Sequence, residues 1–215
     1  MKMRLLNFVF VVLFFCIADL VQAVPVTIQI SGIVTSASGY GLPSTIYEGI
    51  NFSGSYTYDS LTPDSDTASY SGRYKHSSPY GMNISLGGYQ FQTATNHIDG
   101  FNIGIGNDDP YAPPTGPKDW YSVYCNAFIP SGGITINSFI WNLFDISCNA
   151  LSSDALSIIA PIIADWDSNT FALSGTDNNG KGLSIHGTVT QAVLVPEPLT
   201  ISLFAMGLSL CKRRR

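Results

Sequence analysis

The chain has 215 residues, of which 45% are hydrophobic and only 12% charged, about half the charged fraction usual in soluble proteins. Glycine and proline together number 32, too few for a collagen or a low-complexity chain. Ten basic residues stand against fifteen acidic ones, a balance that excludes a protein built to hold nucleic acid.

Residues 1–23 read as a secretory signal peptide. Lys2 and Arg4 give a positive start, and residues 5–17 are almost wholly apolar. Val21 and Ala23 place small side chains at the two positions a signal peptidase inspects, so cleavage is expected after Ala23. The apolar run is shorter than the ~20 residues of a comfortable membrane span.

The exported body is expected over residues 24–194. It holds four basic residues, Arg73, Lys75, Lys118 and Lys181, against thirteen acidic ones, a net charge of −9. Such a body avoids phosphate backbones and anionic membranes and suits cations. Short runs rich in Thr, Ser, Ile, Val, Tyr and Phe alternate with Gly, Asn, Asp and Pro clusters, which predicts strands and turns. Strands are expected at 26–31, 52–58, 82–86, 89–95, 101–105, 120–128, 134–143, 170–173 and 183–189. Nine or ten short strands predict an all-β body, an antiparallel β-sandwich or jelly roll. A signal helix would precede it and a short apolar C-terminal helix follow it. Residues 156–163 could turn helically, but Pro161 interrupts them. Residues 107–119 form a connection with four prolines, long enough to carry function.

Cys16 leaves with the signal peptide and Cys211 lies in the tail, so Cys125 and Cys148 remain. An even pair in an exported domain predicts a disulfide. It would close a loop of 24 residues, worth about 3.5 kcal/mol by chain entropy.

The chemistry-bearing patterns are sparse. Gly175 to Lys181 copies most of a phosphate-binding loop, but Gly182 replaces the Ser or Thr that holds magnesium and a strand follows. It is read as a hairpin turn. Asp165-x-Asp167-x-Asn169 copies half a calcium loop, but Thr170 and Thr176 stand where Gly and Glu are needed. Asp165 and Asp167 therefore remain calcium candidates only as part of a looser site, beside the ordinary use of Asp in turns. His76, His97 and His186 fall in separate segments, and Glu48 has no selected carboxylate partner, so no catalytic residue and no cofactor are expected. Tyr111 and Trp120 flank the proline-rich connection. Rings beside carboxylates suit sugars, since ring faces cover apolar C–H surfaces and carboxylates bind hydroxyls; core packing is the competing reading.

Residues 195–215 differ from the body. Pro196-Glu197-Pro198 cannot sit inside a helix and marks a linker. Residues 199–211 are apolar, with Leu199, Ile201, Leu203, Phe204, Leu208 and Leu210 as the membrane-anchoring side chains, and Lys212, Arg213, Arg214 and Arg215 close the chain. Thirteen helical residues span about 20 Å, short of a ~30 Å hydrocarbon core, and the terminal cations can snorkel and stay cytoplasmic.

This order of features resembles the PEP-CTERM sorting signal of Gram-negative bacteria. Weaker patterns, Phe52-x-Gly54-x-Tyr56-x-Tyr58-Asp59-Ser60 and Asp165-Trp166-Asp167-Ser168-Asn169-x-Phe171, are similar to bodies that carry such tails. The resemblance implies an exosortase-type enzyme of the inner membrane that cuts near Pro196, Glu197 and Pro198. The body would then pass to the outer surface or the extracellular matrix. The expected role is structural or adhesive in an exopolysaccharide layer, without catalysis. A carbohydrate- or calcium-binding module at the same location is the alternative, and a secreted hydrolase the second.

Overall fold

The computed structural model describes residues 25–112 and 116–196. The signal segment with Ala23, and the tail from Glu197 through Pro198, the apolar run and Lys212–Arg215, lie outside the described residues. The two flanking helices expected there therefore also lie outside them. No helix among the described residues is long and apolar enough to cross a membrane.

The body is all-β. Its strands are β1 (Pro25–Ser38), β2 (Asn51–Asp59), β3 (Ser71–His76), β4 (Gly81–Leu86), β5 (Tyr89–Gln92), β6 (Phe101–Asp109), β7 (Lys118–Cys125), β8 (Ile134–Asp145), β9 (Ser168–Asp177) and β10 (Gly182–Val195). They form one ten-stranded sheet in the order β3-β6-β7-β8-β9-β10-β1-β2-β4-β5. All neighbours are antiparallel.

Period-two burial drives the pairing. Val26, Ile28 and Ile30 point inward from β1, and Tyr121, Val123 and Cys125 from β7, as a sheet with one wet face requires. β3 has no apolar run, so sequence pattern did not predict it. Its Arg73 and Lys75 face solvent, and Tyr74 and His76 face the core.

The sheet curls until its inner face meets itself. Phe52 of β2 packs on Phe171 of β9 with ring centroids 4.3 Å apart. Tyr56 of β2 meets Trp141 of β8 at 6.2 Å, and its hydroxyl hydrogen-bonds that of Tyr121 on β7 at 2.9 Å. The curl has a local cause. Gly187 of β10 and Gly32 of β1 lie beneath the Phe52–Phe171 contact, and a Cβ on either would overlap one of those rings. Register shifts in the β1–β10 pair fall beside Gly32 and between Val34 and Ser36. Missing side chains and bulges together crease the sheet. Past β5, Thr93 bridges Phe128, which follows β7, so the far edge of the sheet closes onto the opposite layer.

The connection from β8 to β9, residues 146–167, is a strap across one end of the curled sheet. The Tyr74 hydroxyl donates to the Asp154 carbonyl at 2.8 Å, and the Tyr58 hydroxyl to the Ser157 carbonyl. Leu151, Leu156, Ile163 and Trp166 pack against the core. Residues 156–162, which Pro161 interrupts, are irregular strap, followed by a single 3₁₀ turn at Ile163–Asp165. At the other end of β9, the glycine-rich segment is a hairpin turn: Asp177 accepts the backbone N–H groups of Asn179 and Lys181, both at 2.8 Å.

Candidate functional site

The strand alternation that buries Tyr121 and Val123 turns Trp120, Ser122 and Tyr124 outward on β7. On β6 the outward positions beside Trp120 and Ser122 are Gly106 and Gly104. A Cβ at either glycine would overlap the indole, so the Trp120 ring lies along the β6 backbone, spanning both glycines. The sheet surface there is a half-exposed aromatic shelf. Phe144 stands beside Trp120 on β8, with the Lys118 ammonium 5.8 Å from its ring centroid, a cation–π distance.

Asp109, only 7% exposed, holds this shelf. Its Oδ2 accepts the Trp120 indole N–H at 2.8 Å and its Oδ1 the backbone N–H of Tyr111 at 2.9 Å. Tyr111 is 77% exposed, and its ring meets Tyr70 at 5.6 Å. The two residues singled out for sugar contact are thus tied to one carboxylate. Sequence reading missed Asp109 as the link and Tyr70 as the third ring, because neither is adjacent to Trp120 in the chain.

Two further carboxylates organise the same end. Asp119 is fully buried; it accepts the backbone N–H of Asp108 at 2.9 Å and that of Leu151 at 2.8 Å. Asp145 accepts the N–H groups of Ser147, Asn149 and Ala150 and the Ser147 hydroxyl. Burial works to raise the Asp145 pKa, but these hydrogen bonds outweigh it and hold the carboxyl at about 2.

The calcium candidates have local roles. Asp167 Oδ2 is occupied by the Ile146 N–H at 2.9 Å, and Asp165 ends the 3₁₀ turn. Among the described residues the grouping with metal-ligand spacing is Asp108, Asp119 and Cys148, whose donor atoms lie within 4.8 Å of one another. Both Asp119 oxygens already accept backbone N–H groups. The Cys148 pKa is raised by burial and then by Asp108, which keeps a proton on the sulfur.

The expected Cys125–Cys148 disulfide is a correction: both thiols are free. Cys148 Sγ lies beside Asp119, at the start of β7, while Cys125 ends the same strand. Six residues of strand, about 20 Å, separate those ends, and a disulfide needs adjacent Cβ atoms. Cys125 is buried near Thr93 Oγ1 at 3.4 Å, and burial raises its pKa.

The histidines are dispersed. His186 Nε2 meets Ser184 Oγ at 3.0 Å on the outer face of β10, and His97 Nε2 meets the Tyr80 carbonyl at 2.8 Å. His76, 2% exposed, has Nδ1 at 3.1 Å from Thr62 Oγ1 and an unpartnered buried Nε2. A groove of about 470 Å³ lies under the strap, lined by Ile105, Tyr121, Leu151, Leu156, Ala160 and Trp166 among others.

In comparisons with known proteins the chain matches no family model, no curated protein and no solved structure.

Proposed function

We propose that the chain is an exported surface or matrix protein whose sandwich-like β body contacts carbohydrate, and whose C-terminal PEP-CTERM-type tail sorts it. A signal peptidase would cut after Ala23. The tail, with Pro196, Glu197 and Pro198 at its head, would hold the body at the inner membrane until an exosortase-type enzyme processes it. The body then reaches the outer surface or the extracellular matrix, where its role is adhesive or structural and involves no cofactor and no catalysis.

The single observation that carries the carbohydrate reading is Asp109. One buried carboxylate positions both the Trp120 indole and the Tyr111 backbone. Rings fixed before binding lose little freedom when a ligand arrives. The flat Trp120 face offers apolar cover for sugar C–H groups, while Tyr70, in ring contact with Tyr111, and the exposed Asp108, next to Asp109 on β6, supply polar groups nearby. The body's net charge of −9 favours neutral or cationic glycans over acidic ones.

Two measurements test this. Co-sedimentation with a panel of insoluble polysaccharides should show binding that falls about fivefold in both Trp120→Ala and Tyr111→Ala, the scale of one ring contact. Binding absent from the whole panel, or unmoved in both variants, overturns the carbohydrate reading. In the native host, a chain ending at Val195 should lose its surface display; unchanged display overturns the sorting reading.

A further inference from the structure

Both ends of the described chain leave the sheet on the strap side. Thr27, two residues after Pro25, pairs with Val195 at the end of β10, and Val26 pairs with Tyr58. Tyr58 in turn holds the Ser157 carbonyl of the strap, and the 3₁₀ turn of the strap packs on β10. At this end Ile158, Ile159 and Ile162 are 64%, 62% and 62% exposed. Val193, Leu194 and Val195 are also partly exposed there. A cluster of large aliphatic side chains in water marks a contact surface.

We propose that this end is a membrane-docking face, with Ile158, Ile159 and Ile162 resting in the headgroup layer of the bilayer that the tail enters. The inference rests on reading residues 199–211 as a membrane segment. Only four Cα steps separate Val195 from Leu199, a reach of about 14 Å at full extension. A body tethered so closely must present its strap end to the lipid surface. The strap offers that surface apolar groups and no cation: residues 146–167 contain Asp154, Asp165 and Asp167 and neither Lys nor Arg. Docking therefore proceeds by burial of aliphatic side chains on zwitterionic headgroups and not by attraction to anionic lipid. The opposite end of β10, with the Asp177–Lys181 turn, lies about 45 Å away, from fourteen strand residues, and stays in water.

The test reconstitutes the full chain in phosphatidylcholine vesicles and follows backbone amide exchange. Amides of Leu156–Ala160 and Ile162 should exchange at least fivefold more slowly than those of residues 178–181, which serve as the internal control. The triple variant Ile158→Ser, Ile159→Ser, Ile162→Ser should keep its vesicle association through the tail and lose the strap protection. Vesicle-bound chain with an unprotected strap overturns the docking face and leaves the anchor reading standing. Chain that does not associate with vesicles overturns the anchor reading and the docking face with it. Protection that survives in the triple variant, or that depends on protein concentration, assigns the strap to its own fold or to a second copy and overturns the lipid assignment.

Discussion

The two connections that leave β9 solve one problem at different scales. At its far end, a tight turn is held by the half-buried side chain of Asp177, which takes two backbone N–H groups. At its near end, the 146–167 strap is held by Asp145 and Asp119, which take backbone N–H groups at Ser147, Asn149, Ala150 and Leu151. The chemistry is the same: a short carboxylate caps unpaired backbone donors. The stakes differ, because Asp119 and Asp145 are themselves buried, at 0% and 2% exposed, while Asp177 sits among exposed turn residues where water can take its place. Burial, and not the hydrogen bond itself, decides how much each carboxylate stabilises.

The largest effect should come from the crease that both ends share. In Gly187→Val the new side chain meets the Phe171 ring and the Ile33 carbonyl. Overpacking against backbone should destabilise the fold by about 3 kcal/mol or more. Urea unfolding would then show a lower midpoint, with strap and hairpin lost in one transition. An unchanged midpoint would refute the crease as the origin of the curl.

Next comes Asp145→Ala, which leaves three strap N–H groups without their acceptor and should cost about 2–3 kcal/mol. Its counterpart, Asp177→Ala, should cost about 1 kcal/mol or less, since water serves the exposed donors. Equal losses in the two variants, by the same unfolding measurement, would erase the distinction between the two connections.

A titration sharpens the comparison. His76 packs on Tyr58 at 6.1 Å, and Tyr58 holds the strap. Burial pushes the His76 pKa down to about 4, against a smaller upward pull from Asp59. The neutral ring is therefore the form that fits the fold, and the unfolded chain binds the extra proton. Stability is fully present above about pH 6.5 and falls as pH drops toward 4, by roughly 3 kcal/mol. Asp145, held at about 2, contributes its loss only below that window. His76→Phe should flatten the pH 6.5–4 slope of the melting temperature; an unchanged slope would place the titrating group elsewhere.

Much of the body was legible from local pattern. Alternation in 26–31, 52–58 and 134–143 and the turn clusters gave the all-β class, because a half-buried strand must alternate. β3 was not legible, since Ser71–His76 buries only Tyr74 and His76 as large side chains and displays charge on its other face. The aromatic site was half legible. Tyr111 and Trp120 stand out by composition, but Asp109 as their common partner depends on the pairing of β6 with β7. The cysteines show the opposite error: an even number and an expectation of export suggested a bridge, and strand length keeps the sulfurs apart.

The sequence by itself determined the strand-rich character of the body and its acid excess. Each is written in contiguous residues, where composition and period act directly. Only the tertiary structure decided which carboxylates are buried, that Gly32 and Gly187 crease the sheet, and that Ile158, Ile159 and Ile162 share an end with both chain exits. The last two are relations between residues about 30 to 160 positions apart, set by how one curled sheet closes on itself, and no local pattern encodes that closure.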